Sequence, residues 1–157
     1  MININGVYEC RIDAKGRFPF PAALKKQLAS QLADGFFMKR GIFQPYIELY
    51  TMEVWQLEKS KLIKINEYQS KNVEFVRKLL AYSREVELDP AGRLMISKDL
   101  ASYAGITKDI VVATAINKME IWDKKAYEKS IEFTPQEFAA DVERIMTDEV
   151  YKDIRGE

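Results

Sequence analysis

The stretch Asp13-Ala14-Lys15-Gly16-Arg17 occurs twice in this chain in closely related form. Its second copy, Asp89-Pro90-Ala91-Gly92-Arg93, begins 76 positions later, at residue 89 instead of residue 13. In each copy the aspartate can accept hydrogen bonds from the backbone of a turn, and the glycine can adopt the left-handed conformation that closes it. We therefore expect both stretches to form the tight turn of a β-hairpin, followed by an outward-facing arginine.

The residues around the two motifs repeat as well. A strand-like run precedes each motif and an apolar alternation follows it. Further on, Ile47-Glu48-Leu49-Tyr50 resembles Met119-Glu120-Ile121-Trp122 at an offset of 72, so the first copy carries four extra residues. We call residues 6–50 the first repeat and residues 82–122 the second repeat. Two copies are too few for a solenoid, which needs roughly three or more stacked units, and they are expected to pack face to face.

Residue patterns predict the element order β-β-α-β-β in each repeat. In the first repeat Pro21 suits the first turn of a helix, and Gly35 suits its end. The apolar stripe of that helix is formed by Leu24, Leu28 and Leu32. Strand pairs are expected to close the repeats, at 36–40 with 47–50 and at 110–114 with 118–122.

In the second repeat Ser97 can cap a shorter helix that Gly105 ends. The segment between the repeats contains no glycine or proline, so it predicts helices over 52–65 and 70–82 and not a flexible linker. After the second repeat, Thr134-Pro135-Gln136-Glu137 is a capping box. It predicts a helix whose apolar stripe includes Phe138, Val142 and Ile145 and extends toward Val150.

These patterns predict an α+β protein in four parts. Residues 1–51 hold the first repeat, 52–81 a helical connector, 82–123 the second repeat and 124–157 a helical tail.

Composition excludes several classes of function. The chain has 157 residues, 47% of them hydrophobic and 31% charged, which is typical of a soluble domain. The N-terminus lacks the pattern of a signal peptide and no apolar run could span a membrane, so we expect a cytoplasmic protein. Cys10 is the only cysteine and there is no histidine, which excludes an intramolecular disulfide, the usual zinc sites and histidine-dependent triads.

The formal net charge is zero, but the charges are unevenly distributed. The first repeat has seven basic and four acidic side chains (+3), and the second has five basic and six acidic (−1). Residues 128–157 have nine acidic and four basic side chains (−5). This asymmetry predicts one basic working surface and an acidic tail kept away from it.

The first motif is the expected centre of that surface. A tight turn directs Lys15 and Arg17 outward on a rigid support, where they can contact the phosphates or bases of a DNA duplex. Asp13 is a poor partner for phosphate, so its expected role is to cap the turn and to orient Arg17. Three further bases either extend the phosphate-binding surface or are ordinary solvated charges: Arg11, Lys39 and Arg40.

Four stretches agree in order with one known family. They are Asp13-Ala-Lys-Gly-Arg17 with Phe20-Pro21, Phe75-Val-Arg-Lys-Leu-Leu80, Glu85-Val-Glu-Leu-Asp-Pro-Ala-Gly-Arg-Leu-Met-Ile96 and Glu120-Ile-Trp-Asp123. Through them nearly the whole chain resembles the MraZ family, which belongs to the wider class of AbrB-like swapped-hairpin transcription factors. Three sites depart from the usual family pattern: Ala91, Ser97 and the pair Thr114-Ala115.

The resemblance implies that the tandem repeats pack as a pseudo-twofold AbrB-like barrel with peripheral helices. It also implies a nucleoid-associated bacterial regulator of the division and cell-wall gene cluster. Its subunits would form a closed homo-oligomeric ring whose D-x-x-x-R hairpins bind double-stranded DNA at repeated promoter sites. The DNA-contacting motif of the family falls on Asp13, Lys15 and Arg17, with Arg93 in the second repeat.

Local charge predicts unequal roles for the two motif arginines. Arg17 lies in the basic repeat, whereas Arg93 lies near three acids, Glu85, Glu87 and Asp89. We therefore expect Arg17 to read DNA and Arg93 to act mainly in folding or assembly.

Two other functions are compatible with the same residues. One is a structural or protein-binding oligomer that does not bind DNA. The other is a carboxylate-dependent hydrolase that uses the equivalent residues Glu48 and Glu120. The missing histidine and the missing phosphate-binding loop argue against an enzyme. We predict no catalytic residue, metal, cofactor or small-molecule substrate, and we expect Trp55, Trp122 and Tyr50 to fill the core.

Overall fold

The computed structural model describes residues 3–156. Side chains are described throughout this range apart from those of residues 150, 154 and 155. The chain divides into two compact units, residues 1–127 and residues 128–157. The first unit combines an antiparallel sheet with short helices, and the second is helical. The α+β class predicted from the sequence is confirmed.

The strands and main helices of both repeats and of the connector follow the chain in the order that the sequence predicts. The first repeat forms β1 (Val7–Arg11), β2 (Arg17–Pro19), α1 (Ala22–Gln27), a 3₁₀ turn (Leu32–Asp34), β3 (Phe36–Arg40) and β4 (Ile47–Thr51). The connector forms α2 (Met52–Leu62) and α3 (Ser70–Leu80). The second repeat forms β5 (Arg84–Val86), β6 (Arg93–Met95), α4 (Lys98–Tyr103), β7 (Asp109–Ala115) and β8 (Lys118–Asp123). Helices α5 (Lys124–Ser130), α6 (Pro135–Met146) and α7 (Glu149–Arg155) complete the chain.

The strands form a six-stranded sheet and a separate two-stranded ribbon. The sheet has the order β1-β7-β8-β4-β3-β5, and the ribbon consists of β2 and β6. Every strand pair in both is antiparallel. Strands β1 and β2 flank the first motif, but they are not neighbours in either sheet.

The expected local hairpins are therefore wrong in their pairing, although the turns form. Strand β1 pairs with β7 and β2 pairs with β6, so both strands around the first motif find partners in the second repeat. The pairing of β2 with β6 places Phe18 opposite Leu94, and both side chains are fully buried. Burial of this apolar area favours pairing between the repeats over a local ladder.

The main core lies where the sheet, the ribbon and two short helices meet. Leu24 and Leu28 from the first repeat and Leu100 from the second are fully buried in it. The first helix is shorter than predicted: α1 ends at Gln27, because Leu28 leaves the helical conformation (φ −107°, ψ 19°).

Later in the first repeat, Leu32 begins the separate 3₁₀ turn instead of continuing α1. In the second repeat Ser97 occupies the N-cap position of α4, as predicted, but makes no capping bond. Its hydroxyl donates instead to the carboxylate of Asp99.

A second, smaller cluster covers the other face of the sheet. The rings of Phe37 and Trp55 stack with centroids 3.8 Å apart, and Tyr50 packs against Trp55. Trp122 stacks on Tyr46, with centroids 4.7 Å apart. Trp55, Trp122 and Tyr50 are all buried, so their predicted structural role is confirmed.

The same face of the sheet holds a buried ion cluster around Glu48. Its carboxylate is fully buried and forms ion pairs with Lys39 and, at 2.6 Å, with Lys118. The hydroxyl of Tyr50 donates to it at 3.3 Å. Burial raises the pKa of Glu48, but hydrogen bonds and charge from the two lysines outweigh this and hold the pKa below its ordinary value. Glu48 is therefore ionised in the folded protein at neutral pH.

This cluster corrects the prediction for Lys39, and its half-buried neighbour Arg40 is bound by other elements of the fold. Lys39 is only 3% exposed, so it is not available to a phosphate group. Arg40 donates a hydrogen bond to the backbone carbonyl of Lys78 in α3. Its guanidinium carbon lies 5.4 Å from the ring centroids of both Tyr82 and Tyr103. Both bases therefore hold elements of the protein together.

The second compact unit begins its main helix as predicted. The hydroxyl of Thr134 accepts a hydrogen bond from the backbone of Glu137, and the Glu137 carboxylate accepts one from the backbone of Thr134. Helix α6 ends at Met146 and does not extend to position 150, because α7 is a separate helix. Phe138, Val142 and Ile145 remain partly exposed on α6. Among residues 3–156, no helix has the length and hydropathy needed to cross a membrane.

The Glu48→Gln variant should be strongly destabilised. Removing the carboxylate leaves two lysine side chains without a counter-charge, which should lower the free energy of unfolding by ~3–5 kcal/mol. Denaturant titration at neutral pH measures this loss. Since Glu48 has a lowered pKa in the folded state, its contribution is fully present above the unfolded pKa of about 4.3 and is lost as the pH falls through the folded value. The two proteins should therefore converge in stability in acid.

A matched control is Glu120→Gln, because Glu120 lies directly opposite Glu48 in the sheet. Its carboxylate accepts one hydrogen bond from the Trp122 indole at 3.0 Å. A loss in Glu120→Gln as large as that in Glu48→Gln would contradict a special role for the buried lysine pairs.

Candidate nucleic-acid interface

Asp13 organises the first motif loop, residues 13–17. Its Oδ1 accepts hydrogen bonds from the backbone N–H groups of Lys15 and Arg17, each at 2.9 Å. Its Oδ2 accepts from Nε of Arg17 at 3.1 Å. Gly16 has a φ of 86°, as expected for the residue that closes the turn. The carboxylate of Asp13 therefore fixes both the loop and the direction of the Arg17 side chain.

The second motif loop, residues 89–93, has the same internal geometry. Oδ1 of Asp89 accepts from the backbone of Ala91 and Arg93, each at 2.9 Å, and Oδ2 accepts from Nε of Arg93 at 2.8 Å. Gly92 has a φ of 77°. Backbone hydrogen bonds from Arg93 and Arg17 are the largest cause that lowers the pKa of Asp89 and of Asp13, so both carboxylates are ionised at neutral pH.

The ribbon formed by β2 and β6 brings the two motif arginines to one surface. Arg17 lies opposite Met95, and Pro19 lies opposite Arg93. Because side chains alternate along a strand, these four residues share one face, while Phe18 and its partner are buried on the other. The two arginines are diagonal neighbours, which places their Cα atoms about 7–8 Å apart. The arginine side chains are 30% and 35% exposed.

The two motif arginines have equivalent partners within their own loops, although the charges of their sequence neighbours differ. Arg93 forms an ion pair with Asp89, which is equivalent to the pair between Arg17 and Asp13. Glu85 lies on β5, opposite Phe37 in the large sheet. Of the acids that precede Arg93, Asp89 therefore has the same role as Asp13, and Glu85 belongs to the large sheet.

Two other predicted site residues lie within the first motif loop or just before it. Lys15 is exposed within the loop. Arg11 is at the end of β1, where its Nε lies 3.4 Å from the carboxylate of Asp109 on the paired strand. The Arg11 side chain is 69% exposed, so the pair is open to solvent and easily exchanged for another anion.

The equivalent carboxylates Glu48 and Glu120 do not form an open acidic site. Glu48 is enclosed by lysines, and Glu120 accepts a hydrogen bond from Trp122. In the described part of the chain, no group of three or more acidic or cysteine side chains is arranged to hold a metal ion. Both carboxylates are therefore engaged with other side chains of the fold.

Sequence reasoning missed two features of this surface. It did not find the β2–β6 ribbon, although the two strands share a length of three residues and the same apolar alternation. It also gave no role to Lys25 in α1, which lies beside Gly92 of the second motif loop. No sequence signal marks that contact, since the two residues are 67 positions apart.

Comparison with known proteins gives a consistent set of relatives. A family model described as "MraZ protein, putative antitoxin-like" matches residues 79–149. The protein named Transcriptional regulator MraZ of Christiangramia forsetii is 48% identical over 146 residues, which cover 93% of this chain and 94% of the relative. That of Flavobacterium psychrophilum is 47% identical over 93% of each chain. That of Escherichia coli is 29% identical over 76% of this chain and 79% of the relative.

The paired motif loops on an α+β scaffold and the names of these relatives define the class of the protein as a transcriptional regulator. The matches extend over nearly the full length of both chains, so both repeats and the connector are included. The chain belongs to the MraZ family. The family predicted from the sequence is confirmed.

The tight contact at Gly16 should make the first motif loop sensitive to a single methyl group. A Cβ atom at Gly16 would overlap the backbone oxygen of Ile96, whereas one at Gly105 would meet nothing within 4 Å. Both glycines have a positive φ, so each change to alanine should cost ~1–2 kcal/mol of strain. Gly16→Ala should cost roughly 1–3 kcal/mol more, because the ribbon must shift. Denaturant titration of the two variants measures the difference, and equal losses would show that the contact relaxes freely.

Proposed function

We propose that this chain regulates transcription of the division and cell-wall gene cluster by binding repeated promoter sites in double-stranded DNA through its two motif loops. The observation that carries the proposal is the shared face of the β2–β6 ribbon. It presents Arg17 and Arg93, each oriented by an aspartate of its own loop. Lys15 and Arg11 extend the positive surface beside the first loop.

The ribbon has the size and the chemistry that a DNA groove requires. The major groove is about 12 Å wide and admits a two-stranded β-ribbon. Guanidinium groups can donate two hydrogen bonds to O6 and N7 of guanine, or contact phosphates. Asp13 and Asp89 restrict the rotation of the two arginines, so less conformational entropy is lost when DNA binds. In this proposal Asp13 is a positioning residue, and the basic side chains of the protein make the contacts with DNA.

The strand pairing supports a pseudo-twofold AbrB-like barrel with peripheral helices. Strands at equivalent positions pair with each other, β2 with β6 and β4 with β8. The first strand of each repeat pairs with the third strand of the other, β1 with β7 and β5 with β3. Residues 1–51 and 82–123 would be the AbrB-like repeats, with 52–81 as connector and 124–157 as tail. Such an exchange would let one subunit imitate a dimer.

Apolar side chains on the connector support assembly into a ring. Leu57 and Ile63 at α2, Tyr68 between the helices and Phe75 on α3 are all substantially exposed. A groove lined by Leu62, Ile63 and Val73 separates the two helices. Exposed apolar side chains of this kind, together with an apolar groove, are typical of protein interfaces. Identical subunits joined through unlike surfaces form closed rings when the rotation between them closes.

The proposed setting is the cytoplasm, with the protein associated with the nucleoid. The partners are duplex DNA and further copies of the chain. The regulators named above provide no reason to assign a small-molecule substrate or a catalytic step. A structural oligomer without DNA binding is the alternative, and the following experiment separates the two.

Binding to promoter DNA should depend steeply on salt and on the number of sites. A single subunit offers few charges, but a ring that holds adjacent repeats, about 10 bp apart, gains from high effective concentration. Titration of labelled fragments with one or three repeats should give much tighter binding to three. The logarithm of affinity should fall linearly with the logarithm of salt concentration.

The variants that test the proposed DNA contacts are Arg17→Ala and Arg93→Ala. Because the loops share one geometry, each should lose ~1–3 kcal/mol per base contact, which contrasts with the unequal roles expected from charge alone. Arg17→Lys should keep phosphate attraction but lose paired hydrogen bonding. Equal affinity for one and three repeats, or binding indifferent to salt, would contradict the proposal.

Ile63→Asp should disrupt the ring. A charge placed in an apolar interface loses hydration without gaining a partner, so assembly should weaken. Light scattering at micromolar concentration should report a large oligomer for the unmodified protein and smaller species for the variant. Ser60→Asp, an equal change in charge at an exposed polar position of α2, serves as the control. A monomeric unmodified protein would refute the ring.

A further inference from the structure

Lys25 occupies a position that its neighbour Lys26 does not share. Lys25 is half-buried on α1, whereas Lys26 is exposed. The ammonium nitrogen of Lys25 lies against the second motif loop: a Cβ built on Gly92 would overlap it and would lie 3.2 Å from Cε of the same lysine. Within residues 3–156, this ammonium group has no hydrogen bond or ion pair to the protein. It is therefore held at the loop without an acceptor from the protein.

The two repeats distribute their lysines in complementary ways. At an offset of 76, Lys15 of the first motif loop corresponds to Ala91 of the second. On the helices, Lys25 of α1 corresponds to Ala101 of α4. The first loop thus has a lysine of its own and none from the equivalent helix position. The second loop has no lysine of its own but receives one from the helix of the other repeat.

We propose that Lys25 is a DNA-contacting residue that supplies the second motif loop with the amine it lacks. This inference rests on the proposed function of the motif loops. Each loop then presents one arginine and one lysine, Arg17 with Lys15 and Arg93 with Lys25. The ligand of Lys25 is a phosphate of the DNA backbone, since an ammonium group is a compact charge without the planar geometry that reads bases.

The position of Lys25 at the second motif loop depends on contacts between the two repeats. Backbone bonding of Phe20 to the carbonyl of Gly92, at 3.1 Å, holds the start of α1 beside the second loop. Lys25 lies one turn into that helix and reaches back over Gly92. A side chain at position 92 would displace the lysine as well as strain the backbone, whose φ is 77°. Gly92 therefore serves the loop conformation and the access of Lys25 together.

The test uses the full-length protein and a labelled duplex that contains the promoter repeats. Lys25→Ala should weaken binding several-fold on both specific and non-specific duplexes, and should reduce the salt slope by ~1 for each contact removed. Lys26→Ala is the matched control, since it removes the same charge from the same helix without the contact to Gly92. It should change affinity and slope much less. Light scattering checks that the variants keep the same oligomeric state.

A rescue variant tests the equivalence of the two positions. In Lys25→Ala/Ala91→Lys, the second loop regains a lysine at the position that Lys15 occupies in the first. We expect affinity and salt slope to return toward those of the unmodified protein. A double variant as weak as Lys25→Ala would overturn the equivalence, and a loss with unchanged salt slope would assign Lys25 to loop folding and overturn the contact.

The outcomes also separate this inference from the proposed function. If the unmodified protein binds the repeats and Arg17→Ala binds them more weakly, while Lys25→Ala behaves like Lys26→Ala, only the role of Lys25 is refuted. If the unmodified protein does not bind duplex DNA at any salt concentration, both proposals are refuted.

Discussion

The antiparallel pairing of β2 with β6 is the constraint on which the rest of the structure depends. It is only three residues long on each side, yet it places Phe18 against Leu94 in the centre of the core. The chain can make this pairing only if each repeat gives up its local hairpin. The large sheet then receives β1 and β5 at its two edges, each beside a strand of the other repeat. One face of the ribbon thus packs into the core, and the other face carries Arg17 and Arg93.

Electrostatics divide the charged residues of the chain into two groups. Lys39 and Lys118 are drawn inward by the buried carboxylate of Glu48, where ion pairing offsets the cost of removing charges from water. Arg17 and Arg93 are held at the surface by aspartates that also accept hydrogen bonds from backbone N–H groups of the same loop. The net charge of zero does not reveal this division between buried and exposed basic residues. The placement of each base decides whether it can meet a ligand.

Much of the fold and part of the site could be predicted from the sequence because they rest on local chemistry. The turn at Asp13, the positive φ of Gly16 and the capping box at Thr134 each depend on a few adjacent residues. The family followed from motifs that occur in a fixed order. What could not be predicted depends on contacts between distant segments, such as the burial of Lys39. A strand pattern shows that a residue faces one side of a sheet, but not what covers that side.

The exchange of strands has a consequence for how the chain is made. Arg11 at the end of β1 pairs with Asp109 on β7, so the first strand has no ladder partner until about 98 further residues have been synthesised. At the usual speed of translation, about 5–20 residues per second, that interval lasts roughly 5–20 seconds. For most of it the first repeat has neither its sheet neighbour β7 nor its ribbon partner β6, which is completed at Met95. The two repeats look like independent folding units along the chain, but the first cannot complete its strand pairing until the second has been synthesised.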